Sequence, residues 1–335
     1  MMYSVTSSIS EREVYMKKIF RVTGKVLLIL IAAIAAFLLV MFVYNQIMLK
    51  KEAVIFEHPP VGQFVEVDGH NMCIYTEGEG DHTLVFLSGS GISSPIYDFK
   101  SLYSLLSDDY RIVVVEKFGY GFSDVVEGER SISTILRQDR EALALSGIEG
   151  PFILCPHSFS ALEALMWAQQ YPDEIEAIVG LDMAVPQTYE NYDSNNHSYD
   201  AQYLLIKALR LSGISRLFPD DVLLYTEGLT EEDIQTFRQI MYARLLNETV
   251  LNEGNDIPEV SEQIMNAPQP DIPMLLFVAD GGEADVDLWR RQTNDFVQEQ
   301  VNASVVELDC GHLVYDFEQE RIAADMRVFI ENLDA

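Results

Sequence analysis

Cysteine is scarce. The 335 residues contain three, Cys73, Cys155 and Cys310. An odd count this small in so long a chain excludes a disulfide framework. Cys73 and Cys155 fall in apolar, strand-like runs and read as buried thiols. Cys310 stands two residues before His312, and a Cys-x-His pair supplies too few ligands for zinc, which takes four, or three plus water. No metal constellation and no cofactor motif stands out, and there is no internal repeat or low-complexity tract. Basic residues are also few, with 22 Lys and Arg against 53 Asp and Glu and a net charge of −31. The imbalance is uneven. Residues 1–51 carry seven basic and two acidic residues, or +5, and residues 52–335 carry fifteen and fifty-one, or −36. Such a body repels phosphates, so nucleic acid is excluded as its partner, and the acid reads as a solvated surface.

What is present begins with a long apolar run. Val26 to Tyr44, "VLLILIAAIAAFLLVMFVY", has nineteen residues and no charge. As a helix it spans a hydrocarbon core of ~30 Å. Arg12, Lys17, Lys18, Arg21 and Lys25 precede it, whereas Lys50 and Lys51 alone follow closely. The positive-inside rule puts the N-terminus in the cytoplasm and the large C-terminal part outside, as a single-pass membrane protein. A cleaved signal peptide would have a shorter apolar region of roughly 7–15 residues and small residues after it. "NQIMLKK" follows instead, so an uncleaved anchor is expected. Asn196-His-Ser, Asn247-Glu-Thr and Asn302-Ala-Ser match the glycosylation pattern, which matters only in a eukaryotic secretory host.

Beyond the anchor, residues 45–62 read as a polar linker. "FVEVDGHNMCIYTEG" gives two strands joined at Asp68-Gly69, a hairpin signal. "TLVFLSGSG", "YRIVVVEKFGYGFSD", "PFILCPHSFS", "IEAIVGLDMAVP", "IPMLLFVADGG" and "ASVVELDCGH" are apolar strands running into turns. Between them lie helical patterns such as "SISTILRQDREALALSG" and "ALEALMWAQQYP", with "QERIAADMRVFIENL" last. Continuous apolar strands alternating with helices predict an α/β fold, a mostly parallel sheet covered on both faces. From 187 to 266 helical runs dominate and tyrosines are frequent (Tyr189, Tyr192, Tyr199, Tyr203, Tyr225). This reads as a helical cap over the strand ends, where such sheets bind ligands. The core is then residues 63–186 and 267–335. Gly119-Tyr120-Gly121 lacks the third glycine of a dinucleotide loop and reads as a turn.

Six histidines are candidates for acid–base work. His58 lies in the linker, His70 and His82 in turns, His157 beside Ser158, and His197 in the polar start of the cap. His312 alone follows a late strand with a loop after it, and can reach over a sheet edge. "ILCPHSFSALEAL" holds Ser158 between an apolar strand and a helix, the layout of a nucleophile elbow. Both customary glycines are missing; Pro156 and Ser160 flank the serine. Ser160-Ala-Leu-Glu163 also fits a capping box, the plain start of a helix.

Taken together, the chain resembles the α/β-hydrolase superfamily over about residues 63–335. "FLSGSG" stands where many members have a His-Gly turn after the third strand. "EKFGYGFSD" is similar to their Asp-x-x-Gly-x-Gly-x-Ser stretch after the fourth, and "CPHSFSALEALMWAQQYP" to their elbow and helix. "CGH" is similar to their histidine loop. The resemblance implies a serine hydrolase cleaving a carboxylic ester, or an amide, with Ser158 as nucleophile and His312 as base. The backbone N–H groups of Ser90 and Phe159 form its oxyanion hole, and no cofactor or metal is required. The partners it implies are a small-molecule ester or peptide-like substrate and, through the anchor, the membrane. The third triad member is open. Most members carry it after the seventh strand, where the matching position here is Gly282. Asp280 lies two residues early, and Glu283, Asp285 and Asp287 lie late. A minority carry it after the sixth strand, where Asp182 sits. A proline-type aminopeptidase with the same cap is an alternative, for which Glu227, Glu231, Glu232 and Asp233 could supply an ammonium site. A non-catalytic ligand-binding protein is another. Haloalkane dehalogenation is disfavoured, because those relatives use an aspartate where this chain has Ser158.

Overall fold

The computed structural model describes residues 3–190, 200–282 and 285–333. Tyr192, His197, Tyr199, the Asn196 sequon and Glu283 lie outside them. Eight strands follow one another as β1 Gln63–Val67, β2 His70–Glu77, β3 Thr83–Leu87, β4 Arg111–Glu116, β5 Phe152–Pro156, β6 Ile175–Leu181, β7 Met274–Val278 and β8 Ala303–Glu307. They form one sheet in the order β1-β2-β4-β3-β5-β6-β7-β8. The pairings β1·β2 and β2·β4 are antiparallel and all the others parallel. Asp68 and Gly69 make the β1–β2 turn, both at positive φ.

The central strands read as continuous apolar runs because both faces are covered. Every residue of β3, β5 and β7 is buried. Alternate residues feed two cores: Val85, Leu87 and Leu154 point into one, with Trp167 and Phe296, and Leu84, Phe86 and Ile153 into the other, with Phe99 and Tyr103. The chain leaves β3 for β4 on one side and returns to β5 on the other. The reversal opens a crevice at the carboxyl ends of β3 and β5, the usual ligand position in such sheets.

We number the longer helices α1 Tyr3–Glu52, α2 Ile132–Leu145, α3 Ser160–Gln170, α4 Asp200–Ser212, α5 Glu231–Arg244, α6 Ile257–Asn266, α7 Val286–Glu299 and α8 Gln319–Glu331. Helix α1 is long and apolar enough to cross a membrane, with a mean hydropathy of 3.3 in its most apolar window. It corrects the expected linker: the chain stays helical to Glu52, and Val54–Glu57 adds another turn. The polar residues there are taken up by the insertion between β6 and β7. Asn45 is buried, its amide donating to the carbonyls of Arg210 and Leu211, at 3.0 and 3.2 Å. Arg216 donates to Asn45 Oδ1 at 2.7 Å and holds Glu52 with two bonds of 2.8 and 2.6 Å. Helices α4 and α5 belong to this insertion, whereas α6 packs inward, with Ile257, Val260 and Ile264 in the core of α3.

The Arg216–Glu52 pair is 6% and 10% exposed. Removing one partner of a buried pair strands the other charge, at a cost of about 3–5 kcal/mol. Arg216→Ala is therefore expected to lower the thermal midpoint of the full chain in detergent and to speed proteolysis between residues 203 and 218. Adding Glu52→Ala should recover part of the loss, as read by the same melt.

Candidate active site

The turn between β5 and α3 is strained. Ser158 has φ +52, a region non-glycine residues seldom adopt and one typical of functional turns. The strain is held by bonds on every side. His157 donates its N–H to the Leu87 carbonyl at the end of β3 (3.0 Å), and Ala184 N donates to the Ser158 carbonyl (2.9 Å). Ser160 does not cap the helix as the capping-box reading expects; Phe159 is the N-cap residue and makes no side-chain bond. Instead Ser160 is buried, and its hydroxyl bonds the carbonyls of Leu87 (2.7 Å) and His157 (2.9 Å). The second flank is thus small enough for the close approach and polar enough to tie down the turn. The glycine that the approach does require lies opposite: a Cβ on Gly89 would fall 2.9 Å from that of Ser158.

The Ser158 side chain is half-buried, and its hydroxyl has no hydrogen-bond partner among the described residues. Beside it, no described acceptor takes the backbone N–H of Phe159 or of Ser90. Two free N–H groups at the crevice are what a developing oxyanion needs. The Ser88–Gly91 turn that carries one of them is fixed from below. Lys117, 1% exposed, donates to the Ser88 carbonyl at 2.9 Å and lies 3.7 Å from buried Glu163. Glu116 braces the next turn, accepting from Ser94 Oγ and Phe122 N, both at 2.7 Å. Burial raises the Glu116 carboxyl to about 7. Its oxygens fill the space where Gly121 would carry a Cβ, so that glycine is obligatory.

Two carboxylates compete in the sequence for His312, and one of them reaches it. Asp182, at the end of β6 with φ +48, is fully buried. Its Oδ2 accepts from His312 Nδ1 at 2.7 Å and from Gly281 N at 2.9 Å. Its Oδ1 accepts from Ala279 N at 2.7 Å and Trp289 Nε1 at 2.8 Å. Asp280, the alternative, accepts from Gly282 N at 2.9 Å and makes no bond to the histidine. Gly282 is beside His312, 3.6 Å from where its Cβ would be, but offers no carboxylate. Asp285 caps α7, accepting from Leu288 N, and Asp287 lies in that helix's first turn.

His157 has a role that adjacency in sequence hides. Its side chain packs on His312, with ring centroids 4.6 Å apart. Its Nε2 is 3.2 Å from the His312 carbonyl, so that nitrogen carries the proton. Burial, then the neighbouring His312, hold its pKa well below the usual range. A neutral His157 therefore props the loop that presents His312. Buried Asp139 gave no sequence signal, and Glu163, which the sequence offers to a capping box, lies instead in the core beside Lys117. Burial and then the nearby Glu163 carboxylate drive the Asp139 carboxyl well above its usual range.

Of the acids proposed for an ammonium site, the buried Asp233 is already engaged. Glu231, Glu232 and Asp233 form the first turn of α5, and Asp233 closes a capping box with Thr230. It also accepts from Lys100 Nζ at 2.7 Å. Glu227 is exposed. His58 and His70 are exposed and far from this network, and His82 pairs with Glu176 at 3.0 Å. Among the described residues no group of His, Cys, Asp and Glu is arranged to hold a metal.

This sheet order, with its elbow after β5 and histidine loop after β8, is the α/β-hydrolase fold. Solved structures agree. The structure of Cfl2 from Burkholderia cenocepacia matches with TM-score 0.60 at 22% identity, covering 80% of this chain and 95% of that one. An epoxide hydrolase from Vigna radiata matches with TM-score 0.62 at 16% identity, over 81% and 98%. A haloalkane dehalogenase from Bradyrhizobium elkanii matches with TM-score 0.54 at 17%, over 81% and 96%. No family model matches the sequence. Within the fold, the chain belongs to the family of the uncharacterized protein YbdG of Bacillus subtilis. It is 33% identical to that protein over 314 residues, which cover 89% of this chain and 95% of YbdG.

A buried acid pair near His312 gives the site a pH signature. Burial and then the Asp98 carboxylate raise Asp316 to about 8, and burial raises Asp98 to about 6. An acid whose folded pKa exceeds its unfolded value of about 3.9 stabilises the fold fully only below that value. The Asp316 contribution is lost as pH rises from about 4 to about 8. Asp316→Asn keeps the bond from Ser101 Oγ (3.2 Å) and cannot ionise. Its melting temperature should match the parent at pH 4 and exceed it by about 2–4 °C at pH 8.5.

Proposed function

We propose that the chain is a membrane-anchored serine hydrolase that cleaves a carboxylic ester through an acyl-enzyme. The carrying observation is the 2.7 Å bond from His312 Nδ1 to Asp182 Oδ2, in a loop that packs on His157, the residue before the strained Ser158. With Nδ1 bound to the carboxylate, Nε2 is the free nitrogen. It takes the Ser158 proton as Oγ attacks the carbonyl, then returns it to the leaving alcohol. The N–H groups of Ser90 and Phe159 stabilise the tetrahedral oxyanion. Water, activated by the same imidazole, then releases the acid. Asp182 holds the tautomer and steadies the imidazolium. Helix α1 serves as an uncleaved anchor, with Lys17, Lys18, Arg21 and Lys25 on the cytoplasmic side and the sheet outside. The engaged Asp233 weighs against the aminopeptidase alternative, since its charge is already matched by Lys100.

A fluorophosphonate probe should label the purified full chain and fail to label Ser158→Ala. Equal labelling of both, or none of the parent, would leave a binding protein as the better account. Asp182→Asn should lower kcat on a p-nitrophenyl ester by about 10⁴. Asp280→Asn should leave it unchanged, and a large loss there would move the acid to that position.

A further inference from the structure

Helix α4 presents a problem of burial. Its sequence is apolar on both sides. Ile206 and Leu209 turn inward, where with Phe218, Leu223, Met241 and Leu245 they line a cavity of about 230 Å³ between the cap helices. Leu204 and Leu205 turn outward and are 66% and 60% exposed. Leu211, Leu217, Val222 and Tyr203 extend this outward face, all of them exposed. Large exposed apolar side chains gathered on one element, opposite the face that lines the cavity, mark an interaction surface.

The anchor says what covers it. Gly213, just past the end of α4, lies so close to α1 that a Cβ on it would fall 2.6 Å from Asn45 Cβ and 3.0 Å from the Met41 carbonyl. The apolar run of α1 ends at Tyr44, so Met41 lies about 4.5 Å inside that end at 1.5 Å per residue. The cap is therefore held level with the exit of the anchor from the bilayer. Its exposed leucines belong to the insertion that Gly213 and Asn45 hold against α1, whose own apolar residues are exposed. Lys50, Lys51 and Lys207 are exposed nearby, a local cationic rim on a body that is otherwise acidic. Apolar side chains with lysines beside them are the composition of interfacial helices, whose apolar face sinks about 5–10 Å into the headgroup boundary.

One layer of packed side chains separates the cavity from the Ser88–Gly91 turn. Ile206 and Leu245 pack with Ile92, Tyr120 and Leu246, and Leu246 borders Gly91, next to Ser90. The cavity is almost wholly apolar and too narrow for a drug-sized ligand, which occupies roughly 300–1,000 Å³. A single alkyl chain matches it.

The geometry points to a cap that docks on the bilayer holding α1 and draws an acyl chain of a lipid ester into the cavity between α4 and α5. This rests on the anchor and hydrolase reading above and specifies its substrate class.

The test uses the full chain in phosphatidylcholine–phosphatidylglycerol nanodiscs doped with phosphatidylcholine carrying a diazirine either near the headgroup or at the acyl terminus. After irradiation, labelled residues are mapped by mass spectrometry. The headgroup-proximal probe should label Leu204, Leu205, Leu217 or Val222, and the terminal probe should label buried Met241 or Leu245. Met241→Trp, which fills the cavity, should lose the Leu245 label and keep those on the outer face. Label on α1 with none on the cap would overturn the docking. Label on the outer face with none on Met241 or Leu245 would overturn the acyl assignment. No label on α1 would overturn the anchor, and the inference with it. Ser158→Ala should give the parent's pattern, so failure of the hydrolase reading appears in fluorophosphonate labelling alone.

Discussion

Four hydrogen bonds converge on the buried Asp182 carboxylate, and the site is organised around them. Two come from the backbone leaving β7, one from Trp289 on α7 and one from His312 after β8. A buried charge without partners would be too costly to keep. Satisfying this one draws three separate parts of the chain to the end of β6. The same loop reaches the nucleophile turn, since Ala184 N donates to the Ser158 carbonyl. Strand exit, histidine loop and elbow are thus one hydrogen-bonded unit.

A second buried layer supports that unit from beneath. Lys117 fixes the Ser88 carbonyl and so the turn carrying the Ser90 N–H, with Glu163 beside it in the core. His157, neutral and enclosed, props the His312 backbone. None of these groups reaches solvent. They hold the Ser88–Gly91 turn and the His312 loop in place from within the core.

Helix α1 and the insertion between β6 and β7 are joined just as specifically. Arg216 binds Glu52 and Asn45 and stacks on Tyr242, 4.2 Å from its ring centroid. A helix end that would read as a flexible tether is instead a rigid post, and it fixes the height of the cap above the end of the apolar run.

The architecture was legible because its signals are local. Burial on both faces makes apolar runs of β3, β5 and β7, and turn chemistry marks Asp68-Gly69. Uncharged length marks the anchor from Val26 to Tyr44. The placement of Ser158 and His312 in turns after strands was readable because each follows a strand of clear type. The polar linker was misread because Asn45 and Glu52 look solvated until their partners, some 165 residues away, are seen. Ser160 was misread because a hydroxyl at a helix start serves a cap or a neighbouring strand equally well in sequence. The choice between Asp182 and Asp280 was never in the sequence. Both are acids at strand ends, and which one meets His312 depends on where β8 delivers its loop. By itself the sequence determined the sheet, the long apolar N-terminal helix and the serine turn, since these follow from periodicity, length and local sterics. The partner of His312, the role of His157 and the seating of the cap on α1 were decided by tertiary structure alone, because each joins groups that only folding brings together.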